Sequence, residues 1–505
     1  MEVLYQSCAG IDVHQANIVV CILHGPLTST RPKREMATFD TTTKGLRACH
    51  DFLSQFHVEA VGMESTGVYW RPVWHALEPM STFSGFYKKS RQERIDILRQ
   101  NRSLAEDSLD ILYKDENLPE AIAGKMAENH LGTFSLPFSV LPELLVDGQT
   151  YSVPMVTEEP SVVAAASFGA KIIAKSGGFT TTIHNRIMIG QVALYDISDH
   201  SRATQAILDH KESILENANQ AHPSIVKRGG GARELTVESK DEFLIVYLQV
   251  DVQEAMGANI LNNMLEAVKD DLEELSKGQA LMGILSNYAT ESLITAQCHI
   301  AISSLATSSA IAQETAQKIA LASKLAQVDP YRAATHNKGI FNGIDAVVIA
   351  AGNDWRAVEA GAHAYASRDG QYKGLSTWSI DGEHLVGSIT LPLPIASVGG
   401  SIGLNPKVAV AFDLLQQPKA RQLASIIASV GLCQNFAALR ALVTSGIQAG
   451  HMKLHAKSLA LLAGAEEHEV DQLAQLLRKE KHSNLETAQN LLAKMREHWE
   501  WERHP

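Results

Sequence analysis

The sequence predicts an α+β protein. Three observations predict it: a length that divides into about three domains of ordinary size, strand-period and helix-period segments in mixed rather than strictly alternating order, and an abrupt change of style near residue 80. The 505 residues are 45% apolar and 20% charged, with 34 Gly and 16 Pro, a globular composition that excludes a disordered, collagenous or disulfide-stapled chain. Lys and Arg number 44 against 56 Asp and Glu, so the net charge of −12 offers no basic field to gather nucleic acid or anionic lipid, although it leaves room for a local basic pocket. Cys8, Cys21, Cys49, Cys298 and Cys433 are scattered without a CxxC pair, which points to a reducing cytosol and to no thiolate zinc site. The start MEVLYQSCAGIDVHQ lacks a signal-peptide pattern, and no apolar run reaches the ~18 residues of a membrane span; a soluble, cytoplasmic protein is expected.

Residues 1–80 read as strand Ala9 to Asp12, strand Asn17 to Leu23, helix Thr43 to Phe56, strand Val58 to Met63 and helix Val68 to Leu77. This α/β start has too few elements to cover a parallel sheet. The stretch PMSTFSG then places a boundary near Pro79 to Gly85. A charged helix follows, and Pro154 to Ser161 leads into an Ala-rich helix whose first turn suits Pro160, leaving Glu159 at or just before the helix N-terminus.

Between about Thr181 and Asn287 a strand (RIMIGQVAL), an amphipathic helix (SRATQAILDHKESILENA), two β-rich runs (ELTVES and EFLIVYLQVDV) and a helix (NILNNMLEAVKDDLEELSK) predict a split βαβ module inserted into a larger unit. Beyond it lie Ala-rich helices, a turn region around His336 to Asp354, and a hairpin at Asp381-Gly382. The last stretch, from about Gly446, is helical. The expected domains are 1–80, a large domain of 81–180 with 288–445, the inserted 181–287, and a C-terminal flap 446–505.

Chemistry concentrates in a few places. In Arg332-Ala-Ala-Thr-His-Asn-Lys338-Gly-Ile-Phe-Asn342-Gly, a strand-like apolar run leads on to Gly352-Asn353-Asp354-Trp355. Lys and Asp at the ends of buried apolar runs cost several kcal/mol unless paired, so a Lys338–Asp354 pair is expected, either at a reactive site or as a structural ion pair under a loop. Glu158-Glu159 fits a helix start through the helix dipole as readily as it fits catalysis. His451 and His455 share a helix face without the carboxylate of an HExxH pattern, and a solvated face explains them equally well. The glycines of Arg228-Gly-Gly-Gly231 and of Ala255-Met256-Gly257-Ala258-Asn259 could bring backbone amides to phosphate oxygens, though neither has GxGxxG spacing.

Together PMVTEEPSVVAAAS, KRGGGARE, EAMGAN, LSNYA, ATHNKGIFNGIDAVVIAAGNDWRAVEAGAH, GGSIGLNP and GHMKLHAKSLALLAGA closely resemble bacterial class II 3-hydroxy-3-methylglutaryl-CoA (HMG-CoA) reductases, in order, from about Phe86 onward. The resemblance implies four-electron reduction of HMG-CoA to mevalonate and CoA with two reduced nicotinamide cofactors; the same groups would serve mevalonate oxidation. It implies that Lys338 stabilises the oxyanion formed at the thioester carbonyl. Glu159 would exchange protons, with Asp354 raising its pKa and pairing Lys338 in a coupled set. His451 would protonate the departing CoA thiolate, with His455 orienting it.

Arg332 would grip the HMG carboxylate, with Ser161, Asn287 and Asn342 as polar contacts or, on their own, as capping and turn residues. The inserted module is similar to the family's ferredoxin-like dinucleotide-binding domain, with Glu254, Met256, Gly257, Ala258 and Asn259 near the pyrophosphate and nicotinamide. His222, where NAD-preferring relatives carry an acid, lies near Lys227 and Arg228 in sequence, which favours the 2′-phosphate of NADPH over NADH. The same resemblance implies a homodimer, while the short apolar runs, the net charge and the lack of a metal-ligand pattern predict no membrane or nucleic-acid partner and no metal.

CAGIDVHQANIVVCIL, with Asp12, and VGMESTGVYWRPVWHALE, with Glu64, resemble instead the start of the RuvC-like (RNase H-like) DEDD domain of an insertion-sequence transposase family. Such domains bind divalent metal through several carboxylates. Here the match stops after Glu78, and the next aspartate, Asp96, already lies in the reductase-like helix. A fused, truncated remnant is expected, with a DNA recombinase or a catalytically dead CoA-binding fusion as the competing readings.

Overall fold

The computed structural model describes residues 5–26, 32–58, 60–65, 73, 83, 85–444, 456–480 and 484–503. The chain divides into two compact units, Met1–Ile97 and Leu98–Pro505. The division falls inside the helix Arg91–Asn101, later than the boundary expected at residues 79–85. A Pro/Ser/Gly-rich stretch marks where regular structure pauses, which need not be where packing changes partners.

In the first unit, β1 (Ser7–Val13), β2 (Asn17–His24), β3 (Lys33–Asp40), α1 (Thr43–Gln55) and β4 (Ala60–Ser65) follow one another. They form a sheet of order β3-β2-β1-β4, with β1 antiparallel to β2 and parallel to β4. Alternate residues Ile11, Val13, Ile18, Val20 and Ile22 are buried with Leu46, Cys49 and Leu53 of α1. Strand β3 was not expected, because KREMATFD is largely exposed and carries no apolar alternation. Asp12 and Glu64 are register partners on β1 and β4. The helix expected over Val68 to Leu77 lies, apart from Val73, outside the described residues.

The second unit starts its larger sheet with β5 (Phe138–Val146) and β6 (Gln149–Val156), then α2 (Val162–Ala174) and β7 (Phe179–Ile183). An insertion follows: β8 (Ile187–Tyr195), α3 (His200–Asp209), α4 (Lys211–Ala221), β9 (Gly231–Lys240), β10 (Phe243–Asp251), α5 (Ala258–Ala267), α6 (Lys269–Ser276) and β11 (Gln279–Ser286). The chain returns through β12 (Leu293–Ala301), α7 (Ser309–Val328), α8 (Pro330–Ala350), α9 (Trp355–Ala366), the hairpin β13 (Ser376–Asp381) and β14 (His384–Pro392), and α10 (Ala420–Val443). The larger sheet has the order β13-β14-β12-β7-β5-β6, and the inserted one β11-β8-β10-β9, antiparallel throughout.

Four expectations change here. The inserted module gains a fourth strand, β11, whose half-exposed residues hid its period, and its first helix is two helices meeting at His210. The apolar run after Asn342 is helix, not strand: Ile344, Val347 and Val348 of α8 are fully buried, and a helix buried on most sides shows little period in its sequence. Helix α10, at 24 residues, is long and apolar enough to cross a membrane, contrary to the sequence expectation. Its Leu423, Ile426, Ile427, Val430, Leu432 and Phe436 are all completely buried in the core around α8 and the larger sheet.

Of the expected flap, the described part forms its own small core, in which Ala456, Leu459 and Ala460 meet α11 (Glu467–Leu477) and α12 (Leu485–Arg503). Buried Glu469 caps α11 and takes a bidentate Arg496, at 2.8 and 2.7 Å, whose hydrogen bonds hold its carboxyl down to about 2.

Candidate active site

The site is assembled from the turn before α2, one face of α8 and the start of α9. Residues 157–161 leave β6 through a turn and enter α2 at Val162. Pro160 therefore precedes the first helical turn instead of occupying it. Ser161 is the N-cap with φ +76°, a left-handed conformation that costs a residue bearing a Cβ about 1–2 kcal/mol. Its Oγ is buried without a hydrogen-bond partner among the described residues.

On α8, Lys338 and Asn342 are one turn apart on the same face. Lys338 Nζ donates to Glu159 Oε2, and Asn342 Nδ2 donates to Glu159 Oε1 at 3.2 Å. The carboxylate is thus gripped through both oxygens, while Lys338 remains more than half exposed and accessible to a ligand.

Asp354 does not join this pair. Its Oδ1 caps α9, accepting from the Arg356 and Ala357 amides at 3.0 and 3.2 Å, and lies 3.4 Å from Arg356 Nη2. The expected Lys338–Asp354 pairing is corrected in this structure: the N-terminal amides of α9 satisfy the aspartate, and Glu159 satisfies the lysine. Asp354 is nevertheless held next to the α8 end, because Asn353 bridges Ala351 and Ala396 with bonds of 2.8–3.1 Å.

Arg332 occupies the first turn of α8, half-buried, with burial lowering its pKa, and it has no ion-pair partner among the described residues. A partly desolvated guanidinium without a carboxylate is suited to an anionic ligand. Asn287 follows β11, and its carbonyl packs against Gly361 of α9, where a side chain would not fit. His451 and His455 lie outside the described residues.

In the inserted module, Gly257 is the N-cap of α5 at φ +100°, with no side chain capping the helix. Free amides at this helix start fit a pyrophosphate. The connection Arg228–Gly231 lies between a short helix and β9, not ahead of a longer helix. Gly230 packs directly on Asp251 and Gln253, so the segment carrying His222, Lys227 and Arg228 is brought against the loop that leads to Gly257. Lys227 and Arg228 are exposed there.

Glu254 turns elsewhere than expected: its Oε2 accepts from Ser397 Oγ at 2.5 Å and from the Ala420 amide at the start of α10 at 2.7 Å. Burial acts to raise its pKa, but these bonds and the charges of Arg186 and Lys419 outweigh it and leave the carboxyl below its usual range. Through these bonds Oε2 fastens the loop to the start of α10.

Sequence reasoning missed three residues. Arg186, just before β8, donates to the carbonyls of Gln253 (2.6 Å), Ala255 (2.9 Å) and Ile395. Burial pushes its pKa down to about 10, partly offset by Glu254. Asp345 lies at i+7 from Lys338, and burial first, then the charge of Glu359 on α9, pushes its carboxyl up to about 8. The i, i+4, i+7 spacing of Lys338, Asn342 and Asp345 was readable once that run was taken as helix.

The chain matches the hydroxymethylglutaryl-coenzyme A reductase family over residues 90–456. It is 40% identical over 421 residues to the 3-hydroxy-3-methylglutaryl-coenzyme A reductase of Archaeoglobus fulgidus, covering 82% of this chain and 95% of that one. It is 34% identical to the probable enzyme of Borreliella burgdorferi, covering 75% and 88%. Among solved structures it is similar to the reductase of Streptococcus pneumoniae, with 61% identity, a TM-score of 0.72, and coverage of 82% of this chain and 99% of that one. The class II S. pneumoniae enzyme bound to NADPH in open conformations gives a TM-score of 0.71 at 61% identity, covering 72% and 100%. With Glu159 held by Lys338 and Asn342 inside the matched segment, the chain belongs to the hydroxymethylglutaryl-coenzyme A reductase family.

Proposed function

We propose that the second unit reduces HMG-CoA to mevalonate and free CoA in the mevalonate pathway, using NADPH. The observation that carries this reading is the grip of Lys338 and Asn342 on Glu159 within the family match. The S. pneumoniae relative's NADPH supports the cofactor, and the residues here fit it: uncapped amides at Gly257, and the basic Lys227 and Arg228 beside His222. Bound NADPH supplies hydride to the thioester carbonyl and then to the aldehyde, two equivalents in all.

The chain's own groups do the rest. Lys338 Nζ holds negative charge on the substrate oxygen as the carbonyl is reduced. Glu159 Oε2, in contact with that ammonium, takes or returns the proton the oxygen exchanges. His451 is the group proposed to protonate the CoA thiolate. Asp354 anchors the α9 start beside the site, and Arg332 receives the HMG carboxylate, with Ser161 Oγ as a further polar contact. Asn287 is a further proposed substrate contact, supported by the packing of its carbonyl against Gly361 of α9.

The strand order of the inserted sheet supports a ferredoxin-like cofactor domain, and the separate C-terminal core supports a flap distinct from the larger sheet. A cytoplasmic homodimer is the proposed assembly. For the first unit, the neighbouring Asp12 and Glu64 on parallel strands support an RNase H-like, transposase-derived remnant fused to the enzyme.

The test follows NADPH absorbance with HMG-CoA. HMG-CoA-dependent oxidation that falls by about 10²–10³-fold in Lys338→Ala is the expected result. No turnover together with intact CoA binding overturns it in favour of a dead CoA-binding fusion.

A further inference from the structure

The inserted module joins the larger sheet through two short connections, 184–186 and 287–292. A module joined in that way moves against its host unless other contacts fasten it. Hydride transfer needs the cofactor held to a fraction of an ångström against the substrate. Shortly after β14, three consecutive residues, Ile395, Ala396 and Ser397, tie the two parts together by hydrogen bonds.

Two of the three reach the inserted module. Arg186 Nη2, just before β8, donates to the Ile395 carbonyl. The Ser397 amide donates to the Glu254 carbonyl at 2.9 Å, and Ser397 Oγ donates to Glu254 Oε2 at 2.5 Å. Glu254 belongs to the loop that ends at Gly257, the N-cap of α5.

The middle residue faces the other way. Asn353, in the turn between α8 and α9, donates from Nδ2 to the Ala396 carbonyl at 3.0 Å and accepts at Oδ1 from the Ala396 amide at 2.8 Å. Nδ2 also donates to the Ala351 carbonyl at the end of α8, at 3.1 Å. Ser401 Oγ adds a bond of 3.1 Å to the Gly352 carbonyl of the same turn. Ile395 and Ala396 are buried, so their backbone groups depend on these partners. Both Nδ2 hydrogens and Oδ1 of Asn353 are engaged with backbone, so this side chain acts on the reaction only through the segment it holds.

We infer that Asn353 is a positioning residue for hydride transfer. Through Ala396 it holds the segment to which Arg186 and Glu254 fasten the cofactor loop, and so sets the amides at Gly257 against α8, the helix that carries Lys338 and Asn342. The inference rests on the reductase reading and adds to it a link between the cofactor and substrate sites.

The experiment uses the full chain, Asn353→Ala, Glu254→Gln and the double variant. It measures the Kd of NADPH by fluorescence and the single-turnover rate of NADPH oxidation under saturating HMG-CoA. Rates are taken per bound NADPH, so loss of folded protein alone does not move them. In Asn353→Ala the loop keeps its own bonds to Arg186 and Ser397, so the Kd should change by less than about threefold while the rate falls by about tenfold or more. Because both residues act through one segment, the double variant should be no more than about threefold slower than the worse single variant. Asn353→Asp, of equal size and able to accept from the Ala396 amide but not to donate to its carbonyl, takes the place of Asn353→Ala if that variant does not fold.

A rate loss below about tenfold, a Kd that rises in step with the loss of rate, or losses that multiply in the double variant overturn the inference and leave the reductase reading intact. Absence of HMG-CoA-dependent NADPH oxidation by the native chain overturns both.

Discussion

Arg186 holds the carbonyl of Ala255 at 2.9 Å through Nη2. Its Nε binds the Gln253 carbonyl at 2.6 Å, and between those two residues Glu254 reaches Ser397 and the start of α10. The loop ahead of Gly257 is therefore fastened from both sides by groups that need not touch a ligand, which leaves the helix amides free for one.

Replacing Arg186 with Met should free that loop. Each carbonyl stripped of its charged donor costs about 1–3 kcal/mol, and the expected outcome is a KM for NADPH raised tenfold or more with the KM for HMG-CoA changed by less than about threefold. Steady-state kinetics in both substrates checks it. Equal rises in the two constants would show that the fastening is general to the fold.

Lys338→Ala should lower kcat by about 10²–10³, the usual loss when an oxyanion donor is removed. Asn342→Ala should cost less, about tenfold, because Lys338 still holds the other Glu159 oxygen. Single-turnover rates for the two variants decide this, and a larger loss at Asn342 than at Lys338 would reverse the ranking of their roles.

His336 should impose an acid limit on stability. It is completely enclosed, and burial first, then the charge of Arg332, push it down to about 3. Its Nε2 lies 2.7 Å from Ser376 Oγ and 3.2 Å from Asn435 Nδ2, and its Nδ1 has no hydrogen-bond partner among the described residues, so a second ring proton would be buried without an acceptor. The unfolded chain takes up its proton near 6.5 and the folded one only near 3, so the stability from neutral His336 is full above pH ~6.5 and lost as pH falls from there toward 3. The slope approaches about 1.4 kcal/mol per pH unit. Urea titrations of the native chain and His336→Asn from about pH 4.5 to 7 should diverge by such a slope; parallel curves would remove the assignment.

Cofactor choice is expected to follow His222. The native chain should favour NADPH over NADH in kcat/KM by tenfold or more, and His222→Glu should narrow that ratio by placing an acid beside the site of a 2′-phosphate. A native ratio of tenfold toward NADH would overturn the placement.

Limited proteolysis should separate the two units. Cleavage near residues 79–97 is expected to release a fragment that retains reductase activity, since the family match starts at residue 90. Loss of activity at the same rate as cleavage would show that the first unit is needed by the enzyme.

The sequence by itself determined the α+β class, the insertion, the hairpin at Gly382 and, through long motifs, the family and Glu159, Lys338 and Asn342 as separate candidate residues. These are local: a turn residue, an alternation or a contiguous motif carries them. Only the tertiary structure decided what each charge does. Lys338 chooses Glu159 over Asp354 because the start of α9 already satisfies the aspartate. Glu254 fastens its loop to α10, and Arg186, in no motif, shares that work. Asp345 sits in an apolar run where a strand and a buried helix look alike, so the burial that pushes its carboxyl up emerged only when α8 packed into the core. Motifs fix which groups are present, whereas pairing and protonation depend on distance and burial between segments far apart in the chain.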